Sequence, residues 1–172
     1  VDVLEAIRGR RSVRRFREGR LPDEHLRLIL EAAIWAPSAG NAQPWEFVVV
    51  RDRSTVEKVK MFSPGLFGDP DTLVVVCVNR RRVRGRGPHE VVAIMDAAMA
   101  AQNMMLAAYS LGVGSCPVAS FNKAAVRELL GIPEHVEPVL IVSLGYPEEW
   151  PRPPARRPLE EVVHYERYRG AG

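Results

Sequence analysis

From Pro88 to Leu111 apolar residues recur on every side of one long helical stretch: Val91, Val92, Ile94, Met95, Ala98, Met99, Ala101, Met105, Leu106 and Ala108. About 23 residues at ~1.5 Å each make a helix of roughly 35 Å. A helix that is apolar all round must be covered all round. A chain of 172 residues is one domain, 1–172, with a modest core to offer. Two arrangements meet the demand: a central core helix, or a helix shared with a second copy of the chain. A second constraint comes from Leu73–Val78, which is apolar at every position. Successive strand residues point to opposite faces, so this run reads as a central strand covered on both sides.

The remaining elements follow from punctuation and periodicity. A first helix runs from Asp2 to about Gly9, and an Arg-rich turn from Arg10 to Gly19. A second helix opens at Pro22-Asp23-Glu24, buries Leu26, Ile29, Leu30 and Ala33, and stops before Pro37. The polar loop Ser38–Pro44 leads into a strand, Trp45–Val50. Ser54 with Glu57 three residues on predicts a capping box. A turn-rich stretch from Ser63 to Asp71 precedes the apolar strand, and Arg80–Gly87 follows it as a polar connection with five Arg. After the long helix come a strand-like piece, Ser115–Phe121, a helix, Asn122–Leu130, and a strand, Pro138–Leu144. Beyond Tyr146, Pro147, Pro151, Pro153, Pro154 and Pro158 force residues 147–172 into an extended arm, with an amphipathic turn at Pro158–Val163. An arm with apolar residues at its tip suits wrapping a partner subunit.

Several chemistries are disfavoured. The 24 basic residues, 21 of them Arg, are offset by 21 acids, leaving +3. That is no polybasic tail, and the cluster Arg80, Arg81, Arg82, Arg84, Arg86 lacks interleaved aromatics, so no nucleic acid is expected as partner. It reads as a solvated rim, or as an attractor of anionic substrate. His25, His89, His135 and His164 share no ligand spacing, and Ala93 stands where a zinc-protease motif starting at His89-Glu90 needs its second His, so no metal is expected. Gly112-Val113-Gly114 is followed by Pro117 at the position of the third glycine of a dinucleotide-binding fingerprint. Cys77 and Cys116 form no disulfide framework, and Cys116 reads as a buried small hydrophobe rather than a nucleophile. No run of about 18 apolar residues and no signal-peptide pattern is evident, so no membrane is expected and the cytoplasm is the default location. If the chain is an enzyme, a cofactor carries the chemistry.

The turn Arg10-Arg11-Ser12-Val13-Arg14-Arg15-Phe16 offers guanidinium forks and a hydroxyl to a phosphate, though taken alone it reads more readily as a solvated Arg face. It resembles the RRSxRxF opening of the nitroreductase-like FMN-dependent oxidoreductases. Ala36–Trp45 resembles that family's more specific APSxxNxQPW loop. Asp96, Gln102-Asn103 and Leu111–Ser115 on and after the long helix, and Leu144–Pro147 followed by Arg156–Val162, match further segments in the family's order.

The resemblance implies an α+β fold: a central, mostly antiparallel sheet flanked by helices, in a homodimer with exchanged C-terminal arms. It implies FMN as cofactor and NAD(P)H as co-substrate. It also implies ping-pong hydride transfer through flavin N5 to a small-molecule electron acceptor such as a nitroaromatic or quinone. An FMN-binding protein specialised for dehalogenation, flavin chemistry or flavin binding without turnover is the alternative. By resemblance, Arg10 and Ser12 hold the FMN phosphate, with Arg11 near it. Arg14 reaches the N1/O2 edge, where a cation stabilises reduced flavin. Arg156 and Arg157 close the phosphate site, Arg157 being preferred. Pro37, Ser38 and Ala39 lie against the flavin of the other subunit, while Asn41 and Gln43 either join them or pin the loop. Pro117, Val118, Ala119 and Ser120 pass one flavin face, with the backbone of Ala119 and Ser120 near N5. Ala119-Ser120 replaces a Glu-Gly of some members, which leaves the electron donor open. The segment Phe62–Asp71 is expected to cover part of the acceptor pocket.

Overall fold

The computed structural model describes residues 1–83 and 88–170. Its elements are α1 (Val3–Gly9), β1 (Phe16–Arg17), α2 (Asp23–Ile34), β2 (Trp45–Val50), α3 (Arg53–Met61), β3 (Thr72–Asn79), α4 (Pro88–Ser110), β4 (Gly114–Val118), α5 (Lys123–Leu130), β5 (Val136–Pro147) and α6 (Leu159–Val162). The five strands form one sheet in which every pairing is antiparallel. β3 lies between β2 and β5, with Val75 opposite both Val48 and Ile141. The other edge of β5 is shared: Ile141–Gly145 pairs with β4, and Tyr146-Pro147 pairs with β1. The α+β class expected from the sequence is the one observed.

The alternation of β3 explains its unbroken apolar run. Val74, Val76 and Val78 face α2 and α4, where Leu26, Ile29, Ala97, Ala101 and Met104 complete one core. Leu73, Val75 and Cys77 face α3 and α5 and join Val56, Val59, Val126 and Ile141 in a second. Each face of the sheet therefore buries its own layer, and β3 is the strand common to both.

Helix α4 presents Ala93, Ala97, Ala100, Ala101, Met104 and Ala108 inward and leaves Val91, Ile94, Met95 and Met99 exposed. Small inward residues let it approach the sheet closely. One side of the helix is thus core and the other remains apolar in solvent, a mixture of the two arrangements expected. By length and composition alone His89–Ser110 is long and apolar enough to cross a membrane, a test that the core helix of a globular protein also passes; 44% of its most apolar window is buried inside the fold. Averaged hydropathy tolerates Asp96, Gln102 and Asn103, which interrupt any consecutive apolar run.

Other boundaries shift for local reasons. The capping box at Ser54 is not used. Asp52 caps α3, accepting from Thr55 N at 2.9 Å and Thr55 Oγ1 at 2.8 Å, and Glu57 pairs with Arg53 instead. A carboxylate at the N-cap takes the first free amide, leaving Ser54 inside the first turn. β4 ends at Val118 rather than Phe121, and Ser120 O accepts from Gly65 N beyond it. β5 runs longer than expected at both ends. Within the Arg-rich turn, Phe16-Arg17 forms the short strand β1. Arg80–Arg82 form one 3-10 turn, while Arg84 and Arg86 lie outside the described residues.

The arm leaves β5 and stays exposed from Glu148 to Val162. Arg15 pairs with Glu148 at 3.0 Å, and Trp150 meets Tyr109 edge-on at 5.1 Å between ring centroids. Gly68 seals the turn-rich segment against the Arg-rich one. Its φ is +70, and a Cβ there would sit 2.3 Å from Arg14 O. Gly68→Ala should therefore lower unfolding free energy by about 2 kcal/mol, since both a left-handed backbone and a backbone clash must be relieved. Chemical denaturation measures this, and a loss under about 0.5 kcal/mol would contradict the close approach.

Candidate functional site

Residues 10–15 reach the sheet through β4. Ser12 bridges Ser115 in parallel, and Val13 N donates to Ser115 O at 2.9 Å. Val13 is buried against Gly114, so the alternation directs Arg14 outward. Arg10, half-buried, carries an Nη1 that is fully buried and has no hydrogen-bond partner. Its pKa is lowered, first by burial and then by the charges of Arg156 and Arg11. Arg156 thus reaches Arg10 from the far end of the chain and adds repulsion. Burying an unpaired guanidinium N–H among like charges is unfavourable, and an anion bound there would accept from that N–H and offset the repulsion. The corner therefore has the chemistry of an anion site.

The other Arg divide differently from the sequence expectation. Arg11 Nη1 donates to Arg8 O at 2.7 Å and to Gly9 O and Arg10 O at 2.9 Å, so it closes the C-terminus of α1. Its buried Nε has no partner. Arg14 is exposed, with Nη1 3.5 Å from Ser12 O. Arg157, preferred in the sequence reading, is engaged by Glu161 through Nε at 3.2 Å and Nη2 at 3.1 Å. Arg156 is the member of the pair whose charge bears on Arg10.

Cys116 lies beneath this corner. Burial pushes its thiol up, while Arg14, a hydrogen bond with Ser12, and Arg10 oppose that shift. Cys77, inside β3, is pushed up to about 12 by burial, with the nearby Glu46 charge adding to it. Both stay thiols at neutral pH and serve as small core residues. Among the described residues no group of three or more His, Cys, Asp or Glu is placed to hold a metal ion.

At the end of β4, Ala119 and Ser120 are exposed and border a shallow groove with Met61, Phe62, Pro64 and Asn122. Gly65 N donates to Ser120 O at 3.1 Å, and Asn122 N to Phe62 O at 2.8 Å. The start of the Phe62–Asp71 segment is thus fastened beside Ala119-Ser120. The groove offers apolar walls and no carboxylate or imidazole.

The loop from Pro37 to Gln43 is held by itself and by α4. Ala39 N donates to Asp96, with both carboxylate oxygens at 3.3 Å. Gln43 N donates to Ser38 Oγ at 3.0 Å, and Gln43 Nε2 to Asn41 O at 3.2 Å. Asn41 and Gln43 both adopt left-handed backbone, φ +54 and +48. Gln43 is therefore a loop pin in this structure, while Pro37, Ala39 and Asn41 are exposed. Within one chain this loop borders a different cleft from the groove at Ala119. Asp96 had been noted in the sequence without a role. A lone acid in an otherwise apolar helix stretch was the signal that it has one, since a buried carboxylate needs donors.

Comparison with known proteins decides the family. A model described as the nitroreductase family matches residues 7–67 and 59–146. The chain belongs to the nitroreductase family. A Methanothermobacter thermautotrophicus relative, provisionally named NADH dehydrogenase/NAD(P)H nitroreductase, is 37% identical over 157 residues, covering 88% of this chain and 80% of its own length. An NADH dehydrogenase of Thermus thermophilus is 34% identical over 195 residues, covering 95% of each chain. The NADPH:FMN oxidoreductase of Vibrio harveyi, solved with NAD+, superposes with a TM-score of 0.90 at 26% identity, over 98% of this chain and 79% of that one. The family assignment agrees with the motif resemblance, and the nitroreductase fold with the sheet and helices described above.

Asp96→Ala should release the nitroreductase loop at Ala39. Hydrogen exchange at the Ala39 amide should rise about tenfold or more, with Asp96→Asn intermediate because one carbonyl oxygen remains. Unchanged exchange in Asp96→Ala would remove Asp96 as the anchor.

Proposed function

We propose that this nitroreductase-family chain is an NAD(P)H-dependent FMN oxidoreductase acting in the cytoplasm. It passes reducing equivalents from a reduced nicotinamide to an electron-poor acceptor such as a nitroaromatic or quinone. The observation that carries the reading is the Arg10–Arg156 corner, with its buried, unpartnered Nη1. The company of the chain supports it: an NADPH-flavin oxidoreductase of Vibrio harveyi and an FMN reductase of Bacillus subtilis align over 97% of its length.

The residues present fit FMN. A phosphate dianion supplies the charge and acceptor oxygens that Arg10 and Arg156 lack, and the Ser12 hydroxyl is within the same turn. FMN, when bound, supplies the two-electron hydride chemistry. What the chain adds is position and field. Arg10, Ser12 and Arg156 would grip the phosphate. Arg14, exposed beside them, would place a cation at the electron-rich edge of the ring and favour its reduced, anionic form. The exposed backbone of Ala119 and Ser120 would face the ring, and the walls of Met61, Phe62 and Pro64 would shield the acceptor from water. Their groove holds no side-chain acid or base, as expected where donor and acceptor need only be stacked in turn.

The working unit is a homodimer. Trp35 is 79% exposed, and Ile34, Ile94, Met95, Met99, Leu4 and Ile7 are also exposed. Exposed together on and beside α1, α2 and α4, these large apolar side chains suit a face that a partner covers. A second copy would cover it, bring Pro37, Ser38, Ala39 and Asn41 to the first copy's flavin, and receive the arm.

The purified, FMN-loaded protein should be yellow and should bleach under nitrogen when NADH or NADPH is added. An FMN-loaded protein that neither nicotinamide bleaches would overturn the oxidoreductase reading. Arg14→Gln should slow that reduction or weaken FMN binding by about tenfold. Sedimentation should report a dimer, and a stable FMN-loaded monomer would contradict the shared site.

A further inference from the structure

The nitroreductase loop also walls a second space. A cleft of about 590 Å³, within the size range of small-ligand sites, lies between Ala39 and Asn41 on one side and Arg81, Arg82 and His89 on the other, with Asp96 at its base. Arg82 lines the cleft and is tied to the loop, its Nε donating to Ala42 O at 3.1 Å. The Arg81 backbone is held through Asn79 Oδ1 at 3.1 Å. Among the described residues no carboxylate pairs with Arg81 or Arg82. Arg80 differs: its Nη2 is directed to Glu134 O, away from the cleft. Among the described residues the one acid lining the cleft, Asp96, is 5% exposed and turned to Ala39 N.

We infer that this cleft binds the phosphorylated ribose of NADPH, with Arg81 and Arg82 taking the 2′-phosphate. The inference rests on the oxidoreductase reading and names the donor for it. Two guanidinium groups without carboxylate partners match a phosphate dianion. The loop that walls the cleft is the one assigned to the flavin of the second copy. A nucleotide held here therefore has its anionic end anchored next to the place where its nicotinamide must stack. Among the described residues lining the cleft, the one carboxylate, Asp96, is buried and engaged by Ala39 N, which leaves no free acceptor for the 2′-hydroxyl of NADH, so NADPH is the preferred donor.

The test uses the FMN-loaded protein and two probes, adenosine 2′,5′-bisphosphate and AMP, titrated by calorimetry at low salt, about 50 mM, where screening is weak. The bisphosphate should bind at least tenfold more tightly than AMP. Arg81→Gln and Arg82→Gln should each weaken it about tenfold, and Arg80→Gln should not. In turnover, KM for NADPH should rise by a similar factor in Arg81→Gln, and by a larger factor than KM for NADH does. Arg81→Gln disturbs no side-chain hydrogen bond, so it separates lost recognition from a moved loop. Equal binding of the two probes, or bisphosphate binding untouched in Arg81→Gln and Arg82→Gln, would overturn the inference. So would loss of bisphosphate binding only in Arg14→Gln. If NADH and NADPH both fail to reduce the protein, the oxidoreductase reading falls, and calorimetry alone still decides whether the cleft selects a 2′-phosphate.

Discussion

The hydrogen-bond ladder of β5 is the constraint on which the rest of the molecule depends. One edge of the strand carries β3 and, through it, both hydrophobic cores. The other edge is divided between β4 and β1. That division brings the Arg-rich turn and the exposed end of β4 to neighbouring places on one sheet edge. Because the arm begins where β5 ends, the same strand delivers Arg156 to the corner formed by Arg10. A slip of one residue along β5 would invert the faces of Val142 and Leu144 and move all three site segments together. Register and site are therefore specified by the same pairings.

The electrostatics of the corner run against the stability of the chain alone. Arg10 is half-buried, one of its N–H groups has no acceptor, and the charges that bear on it most are those of Arg156 and Arg11. Such an arrangement persists when the surrounding fold over-determines it, as the bridge at Ser12–Ser115 and the buried Val13 do here. An anion bound at the corner would relieve the strain, and binding would then be coupled to folding: whatever the corner binds should also stabilise the fold. Asp96 plays the opposite part on the far side of α4, where a buried carboxylate finds its donor in the loop it anchors.

Much of this was legible in the chain. The double-faced run Leu73–Val78 could only be a strand covered on both sides, and β3 is that. Trp45–Val50 was bounded by Pro44 on one side and a new helix on the other, and its limits hold. The motifs Arg10–Phe16 and Ala36–Trp45 pointed to the family that the comparison shows. Other features depend on contacts between residues far apart. Two-residue β1 has no periodicity to detect and exists because β5 extends past Leu144. Asp52 outcompetes Ser54 as a cap for reasons visible only in the helix start. Nothing local distinguishes Arg156 from Arg157; the difference lies in Glu161, which occupies Arg157, and in Arg10, which Arg156 approaches. The apolarity of α4 announced that more covering was needed than one chain supplies, without saying which face would remain open.

The central claim is that the Arg10–Arg156 corner holds the phosphate of FMN. Its most direct measurement is the affinity of the apoprotein for FMN against riboflavin, which lacks only the phosphate, followed by flavin fluorescence. The account predicts that FMN binds about a hundredfold or more tightly than riboflavin, and that Arg10→Gln with Arg156→Gln collapses most of that difference while leaving riboflavin affinity nearly unchanged. Equal affinity for the two flavins in the unaltered protein would contradict it, as would a preference for FMN that survives in the double variant.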